Sequence, residues 1–143
     1  MFQTNEILNI KENLKIVGGI ATGKTTTLKE LAIKLDNVMV LDFIGEYEDL
    51  KELFKGDKLN VINLCDRACP KVELSKEIID LAKQHDFVII DETSYLFAEE
   101  VNGFLSFLQQ MKEANTKIIA SFQTLPPIEI DIKFPQFIML NRW

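Results

Sequence analysis

The chain has 143 residues, 47% of them hydrophobic, and a formal net charge of −6. That size and apolar content suit one compact domain over residues 1–143, with no Pro/Gly/Ser-rich linker where a second would begin. The acidic balance excludes a broad basic footprint for a nucleic-acid backbone, so any such contact is expected to be local, transient or assembled from several subunits around a pore. No apolar stretch nears the ~20 residues that cross a bilayer, and the first residues lack the basic-then-apolar layout of a signal peptide, which points to a cytoplasmic protein. Cys65 and Cys69 are the only cysteines and have no partner cluster of Cys or His, so ordinary reduced thiols are expected rather than a zinc site.

Short β-branched, apolar runs alternate with helical patterns, the signature of an α/β fold with a mostly parallel sheet covered by helices on both faces. The first run, Leu14 to Val17, leads directly into Gly18-Gly19-Ile20-Ala21-Thr22-Gly23-Lys24-Thr25, a complete G-x-x-x-x-G-K-[ST] string. Glycine at positions 18 and 23 opens backbone conformations in which successive N–H groups point into one concavity and hold phosphate oxygens. Lys24 adds a mobile positive charge for the β and γ phosphates, Thr25 a hydroxyl for Mg²⁺, and the helix starting there the positive end of its dipole. Residues Gly18 to Thr26 are therefore the expected cradle for the phosphates of ATP.

Leu28, Leu31, Ala32 and Leu35 then fall on one helical face, followed by the strand run Val38 to Phe43 and another at Leu59 to Leu64. A second helical stripe, Leu74, Ile78, Leu81 and Ala82, ends near His85, whose place suggests a helix-capping or solvated role. Phe87 to Ile90 runs straight into Asp91-Glu92, the apolar-strand-then-acid layout of a Walker B element. There Asp91 is expected in the Mg²⁺ shell and Glu92 as the base that takes a proton from the attacking water. Tyr95, Phe97, Phe104 and Phe107 fit a core or interface helix, within the stripe Val101, Phe104, Leu105, Leu108 and Met111. Lys117 to Ser121 is the next strand. If it lies between the first strand and the Asp91 strand, Gln123 just past its end reaches the γ-phosphate or the attacking water; the alternative is a turn cap before Pro126. Ile128, Ile130 and Ile132 alternate with charged residues and suggest a half-exposed edge strand, and Phe137 to Leu140 closes the sheet with a possible antiparallel C-terminal edge.

Four segments in order carry a family resemblance. Val40-Leu41-Asp42-Phe43-Ile44-Gly45-Glu46-Tyr47, after the phosphate loop, is similar to the strand of the HerA/FtsK superfamily of pumping ATPases that ends in Asp and continues into Gly-Glu-Tyr. Val61-Ile62-Asn63-Leu64, Asp91-Glu92 and Ala120-Ser121-Phe122-Gln123 resemble its next three signatures, so the likeness spans about Ile16 to Gln123. It implies a three-layer, RecA-like P-loop NTPase that hydrolyses ATP with Mg²⁺, commonly as a hexameric ring, and drives DNA or sometimes protein through a membrane or capsid. Position by position it implies Gly18, Gly23, Lys24 and Thr25 as phosphate and metal ligands, Asp91 as metal acid, Glu92 as base and Gln123 as sensor. Asp42 and Glu46 would support the base or line a subunit contact, or form only a polar strand exit. Motors of this family complete the site with an arginine from the neighbouring subunit; of the two arginines here, Arg142 is the better candidate and Arg67 sits in a loop beside Asp66.

The leading expectation is thus a minimal, homo-oligomeric ATPase that moves a polymer. A nucleoside or nucleotide kinase is a second reading, weakened by the lack of an Arg-rich lid: from Asp91 onward the cations are Lys112, Lys117, Lys133 and Arg142. A nucleotide-gated binding module, with hydrolysis only as a reset, is the third.

Overall fold

The computed structural model describes residues 10–19, 22–53, 59–64, 74–97 and 101–140. Six strands, β1 (Leu14–Val17), β2 (Val38–Asp42), β3 (Leu59–Asn63), β4 (Phe87–Asp91), β5 (Lys117–Phe122) and β6 (Gln136–Met139), form one sheet in the order β3-β2-β4-β5-β1-β6. Every pairing is parallel. The helices are α1 (Lys24–Lys34), α2 (Glu48–Leu53), α3 (Lys76–Ala82), α4 (Val101–Glu113) and a single turn, α5 (Ile128–Asp131), with a 3₁₀ turn at Thr93–Leu96.

The continuous apolar runs follow from burial on both faces, which parallel sheets require. β1 and β2 are buried along their full length. Leu14, Ile16, Val38, Val40, Ile89 and Ile119 pack on one face with Leu28, Leu31 and Ala32 of α1, Leu35 at its C-cap and Leu50 of α2. Val17, Met39, Leu41, Val88, Ile90, Ile118 and Ala120 face the other way onto Phe104, Phe107, Leu108 and Met111 of α4 and Ala82 of α3. All three helical stripes thus face the core, and the layers are helix, sheet, helix. His85 Nδ1 lies 2.9 Å from the Leu81 carbonyl oxygen, at the end of α3.

Two expectations are corrected. Ile128, Ile130 and Ile132 do not form a strand: Pro127 starts a helical turn, with Ile130 N–H and Asp131 N–H donating to its carbonyl oxygen at 2.9 Å each. Proline suits that first position because it gives up no needed N–H. Only Ile130 is buried, under Phe122 and Phe134 in the core, while Ile128 and Ile132 are 67% and 65% exposed, so the period-2 pattern reflects no buried sheet face. The C-terminal edge is also parallel rather than antiparallel. The turn through α5 returns the chain to the start of the sheet before β6 pairs with β1, Leu14 opposite Gln136.

β5 lies between β1 and β4, so the ends of these three strands adjoin. The loop after β2 is held beside them by Asp42, fully buried, whose carboxylate accepts from the N–H groups of Ile44, Gly45, Glu46 and Tyr47 at 2.8–3.3 Å. Replacing this acceptor strips four backbone donors of their partner. Asp42→Ala is expected to cost about 3 kcal/mol of stability, read as a lower urea midpoint at unchanged m-value.

Candidate functional site

In open parallel sheets, ligands bind beyond the carboxyl ends of the strands. Here the loop after β1, the acids after β4 and the polar residues after β5 meet at that end. Gly18 N–H donates to the Phe122 carbonyl oxygen at 3.0 Å, which ties the start of the loop to β5. Gly18 has no room for a side chain, since a Cβ there would lie 2.4 Å from Thr22 Oγ1 and 3.1 Å from Leu140. Gly23 has φ +94°, a left-handed conformation that costs a residue with a Cβ about 1 kcal/mol or more, and it releases the chain into α1. Lys24, buried, donates through Nζ to the carbonyl oxygens of Gly18 and Gly19 at 2.5 and 2.8 Å. Thr22 Oγ1 also donates to Gly19 O, at 2.8 Å. Thr26 follows Thr25 in the first turn of α1. Ile20 and Ala21, Arg67 and Arg142, and Cys65 and Cys69 lie outside the described residues.

The chemistry centres on Asp91, which has no solvent exposure. Its Oδ2 accepts from Thr25 Oγ1 at 2.7 Å and from the Tyr47 hydroxyl at 2.9 Å, and its Oδ1 from Ser121 Oγ at 2.7 Å. Three hydroxyls from α1, the β2 loop and β5 thus satisfy one buried carboxylate. The Tyr47 hydroxyl is held above its ordinary pKa, by burial first and then by the Asp91 charge and hydrogen bond, so it stays a donor. Ser121 Oγ in turn accepts from the Glu92 N–H at 3.0 Å.

Glu92 occupies left-handed backbone, φ 58° and ψ 56°, uncommon for a residue with a side chain. Strain of about 1–3 kcal/mol at such a position persists where the surroundings fix it, and it clusters at functional sites. Burial raises the Glu92 carboxyl pKa first, and the Asp91 charge and then Glu46 raise it further; Lys24 and a hydrogen bond with Gln123 pull it down. Glu92, Gln123 and Lys24 therefore share one electrostatic neighbourhood. A cleft of about 450 Å³ opens beside it, lined by Glu92, Ser94, Tyr95, Gln123 and Thr124 among others, with no Lys or Arg among the described residues of its walls.

The donor set suits a triphosphate and a hard cation. A hydroxyl and a carboxylate in mutual contact, next to glycine backbone, match Mg²⁺, which takes few protein ligands and leaves the rest to phosphate and water. Tyr47 and Ser121 escaped the sequence reading as contributors to this centre. Tyr47 was visible only as one letter of a motif, although a tyrosine within a buried segment needs a partner for its hydroxyl. Ser121 carried a similar signal, a hydroxyl ending an apolar buried strand.

Comparison with solved structures gives the same architecture. AMPPCP-bound DnaA from Aquifex aeolicus superposes with a TM-score of 0.59 at 17% identity, covering 95% of this chain and 44% of that one. A structure of two coordinating Pif1 helicases at forked double-stranded DNA gives 0.53 at 20% identity, covering 99% and 44%. PCH-2 from C. elegans gives 0.50 at 15%, covering 96% and 37%. The chain has the fold of the P-loop nucleoside triphosphatases and spans less than half the length of these proteins. No protein-family model and no curated protein matches its sequence.

Two outcomes test the geometry. Tyr47→Phe removes a donor from a buried carboxylate and is expected to cost about 2 kcal/mol in denaturant unfolding. Because the folded state keeps the Glu92 proton to higher pH than the unfolded chain, it binds more protons above the ordinary value of 4.5, and stability falls as pH rises through the raised pKa. In nucleotide-free, EDTA-treated protein, Glu92→Gln should melt above the wild type at neutral pH, with the gap closing as pH nears 4.5.

Proposed function

We propose that this chain is a Mg²⁺-dependent ATPase of the P-loop class, working in the cytoplasm as a homo-oligomer, a hexamer in its fullest form, that couples hydrolysis to movement of a polymer in the manner of HerA/FtsK motors. The observation that carries this reading is the hydrogen bond between Thr25 and Asp91, with Glu92 next in the chain and Gln123 against it. It joins the end of the phosphate-loop string to the acid that ends β4.

In this scheme the loop from Gly18 to Thr26 receives the phosphates, and Lys24 exchanges its bonds to the Gly18 and Gly19 carbonyls for the β and γ phosphates. Thr25 and Asp91 would hold the metal, and Tyr47 and Ser121 fix the carboxylate of Asp91 by hydrogen bonds. Magnesium, when bound, neutralises charge on the phosphates and on the leaving oxygen. Glu92 takes the proton as a water oxygen attacks the γ-phosphorus and the bond to the ADP oxygen breaks. Its raised pKa brings the base nearer working pH, where proton transfer is most effective. Gln123, which lines the same cleft as Glu92, is the proposed sensor that reports the γ-phosphate to β5. Arg142, beyond the described residues, is the proposed donor to a neighbour's site; such a residue is worth about 10³ to 10⁵ in rate.

The cleft beside Glu92 favours water over a phosphorylated acceptor. A nucleotide kinase neutralises its acceptor's phosphate with cations, and among the described residues none lines these walls. The similar DnaA is AMPPCP-bound and the similar Pif1 helicases act at forked double-stranded DNA, which supports the nucleotide and polymer parts of the proposal by fold analogy.

The test is ATP turnover across protein concentration, with and without DNA. Wild-type turnover per chain should rise with assembly, and Glu92→Gln should lower it by about 10² or more while ATP still binds. A Glu92→Gln protein with normal turnover removes that residue from the base role.

A further inference from the structure

We infer that a lysine-rich cleft at the amino-terminal end of the sheet binds the phosphate backbone of single-stranded nucleic acid. The inference rests on the proposed polymer-coupled ATPase and names its polymer. The cleft, about 420 Å³, lies among the segment before β1, the second half of α4, the turn into β5 and the turn into β6. Its walls carry Lys11, Lys112, Lys117 and Lys133 against one acid, Glu12, in a chain of net charge −6. Of the cations that follow Asp91 in the sequence, all but the last, Arg142, gather here. That concentration is the local contact which the acidic composition demands of a nucleic-acid binder.

The site is built on fixed backbone. Asn13 ties two walls together: its Oδ1 accepts from the Ile118 N–H at 2.8 Å and its Nδ2 donates to the Lys133 carbonyl oxygen at 3.1 Å. Gln136 Oε1 accepts from the Glu12 N–H at 3.2 Å, and Lys117 Nζ donates to Asn115 Oδ1 at 3.1 Å. Lys11, Lys112 and Lys133 are exposed.

A strand with unpaired bases is favoured over an acidic peptide by the apolar surface at the cleft's rim. Ile132 lines the cleft at 65% exposure, and Phe137, two residues past the lining Pro135 on β6, is 62% exposed with the Lys15 ammonium 5.7 Å from its ring centroid. An exposed aromatic beside lysines offers a stacking face for a base, which a carboxylate-rich peptide does not use. The nucleotide site lies beyond the other end of the same strands, across the roughly 20 Å length of β5, so the two sites do not compete.

The experiment is fluorescence anisotropy of a labelled oligothymidylate, titrated with salt, alongside ATP turnover in the same samples. Wild type should bind with a log–log salt slope of about −2 to −3, as expected for four lysines on a single strand. Lys112→Gln with Lys133→Gln should shrink the slope by about 1.4 and leave basal turnover unchanged. Phe137→Ala should weaken binding by about fivefold or more at every salt. Equal affinity and slope in wild type and the double lysine variant overturn the inference. So does failure of the oligonucleotide to bind a protein that turns over ATP. Displacement of the oligonucleotide by polyglutamate, with Phe137→Ala neutral, overturns it in favour of an acidic peptide. Loss of ATP turnover in the wild type is instead a failure of the proposed function.

Discussion

One fully buried carboxylate, Asp91, holds the site together. A charge without solvent exposure is tolerated only when its oxygens are saturated by donors, and here hydroxyls from Thr25, Tyr47 and Ser121 do this. The same bonds fix the start of α1, the loop after β2 and the end of β5 relative to β4. Removing any one leaves a buried oxygen less well satisfied, so the hydrogen bonds that the buried Asp91 needs also hold these segments together. Among the described residues, every buried polar side-chain atom has a partner.

Around this anchor the site is arranged against local comfort. Glu92 sits in left-handed backbone, with its carboxyl pKa raised by burial and by two neighbouring acids. Lys24 is buried on the carbonyls of its own loop. Strained backbone and a carboxyl pKa raised by burial and by neighbouring acids are features that cluster at functional sites. The anchoring of the β2 loop by Asp42 supplies the rigidity that such strain requires.

Much of the fold was legible because both sheet faces are covered. Buried parallel strands read as unbroken apolar runs, and each of the six runs falls on an observed strand to within a residue at either end. The placement of β5 between β1 and β4 stood only as a condition on the role of Gln123, and the strand order meets it. The segment from Ile128 to Ile132 misled because alternation signals a strand only where another strand is available, and Pro127 there opens a helical turn. In the site, the loop glycines, Lys24, Thr25 and the acidic pair announced themselves by spacing. Tyr47 and Ser121 did not, since their part depends on which elements the topology brings together, a property no local pattern holds. The gathering of Lys11, Lys112, Lys117 and Lys133 was hidden for the same reason: three separate chain segments supply it.

The central claim is that Thr25 and Asp91 form half of one metal site on a bound triphosphate. Equilibrium binding of a fluorescent ATP analogue, with magnesium or with EDTA, in wild type and in Asp91→Asn, tests it most directly. The account requires magnesium to tighten binding to the wild type by about tenfold or more, and this dependence to vanish in Asp91→Asn. Magnesium-independent binding by the wild type, or an undiminished magnesium effect in Asp91→Asn, would contradict it.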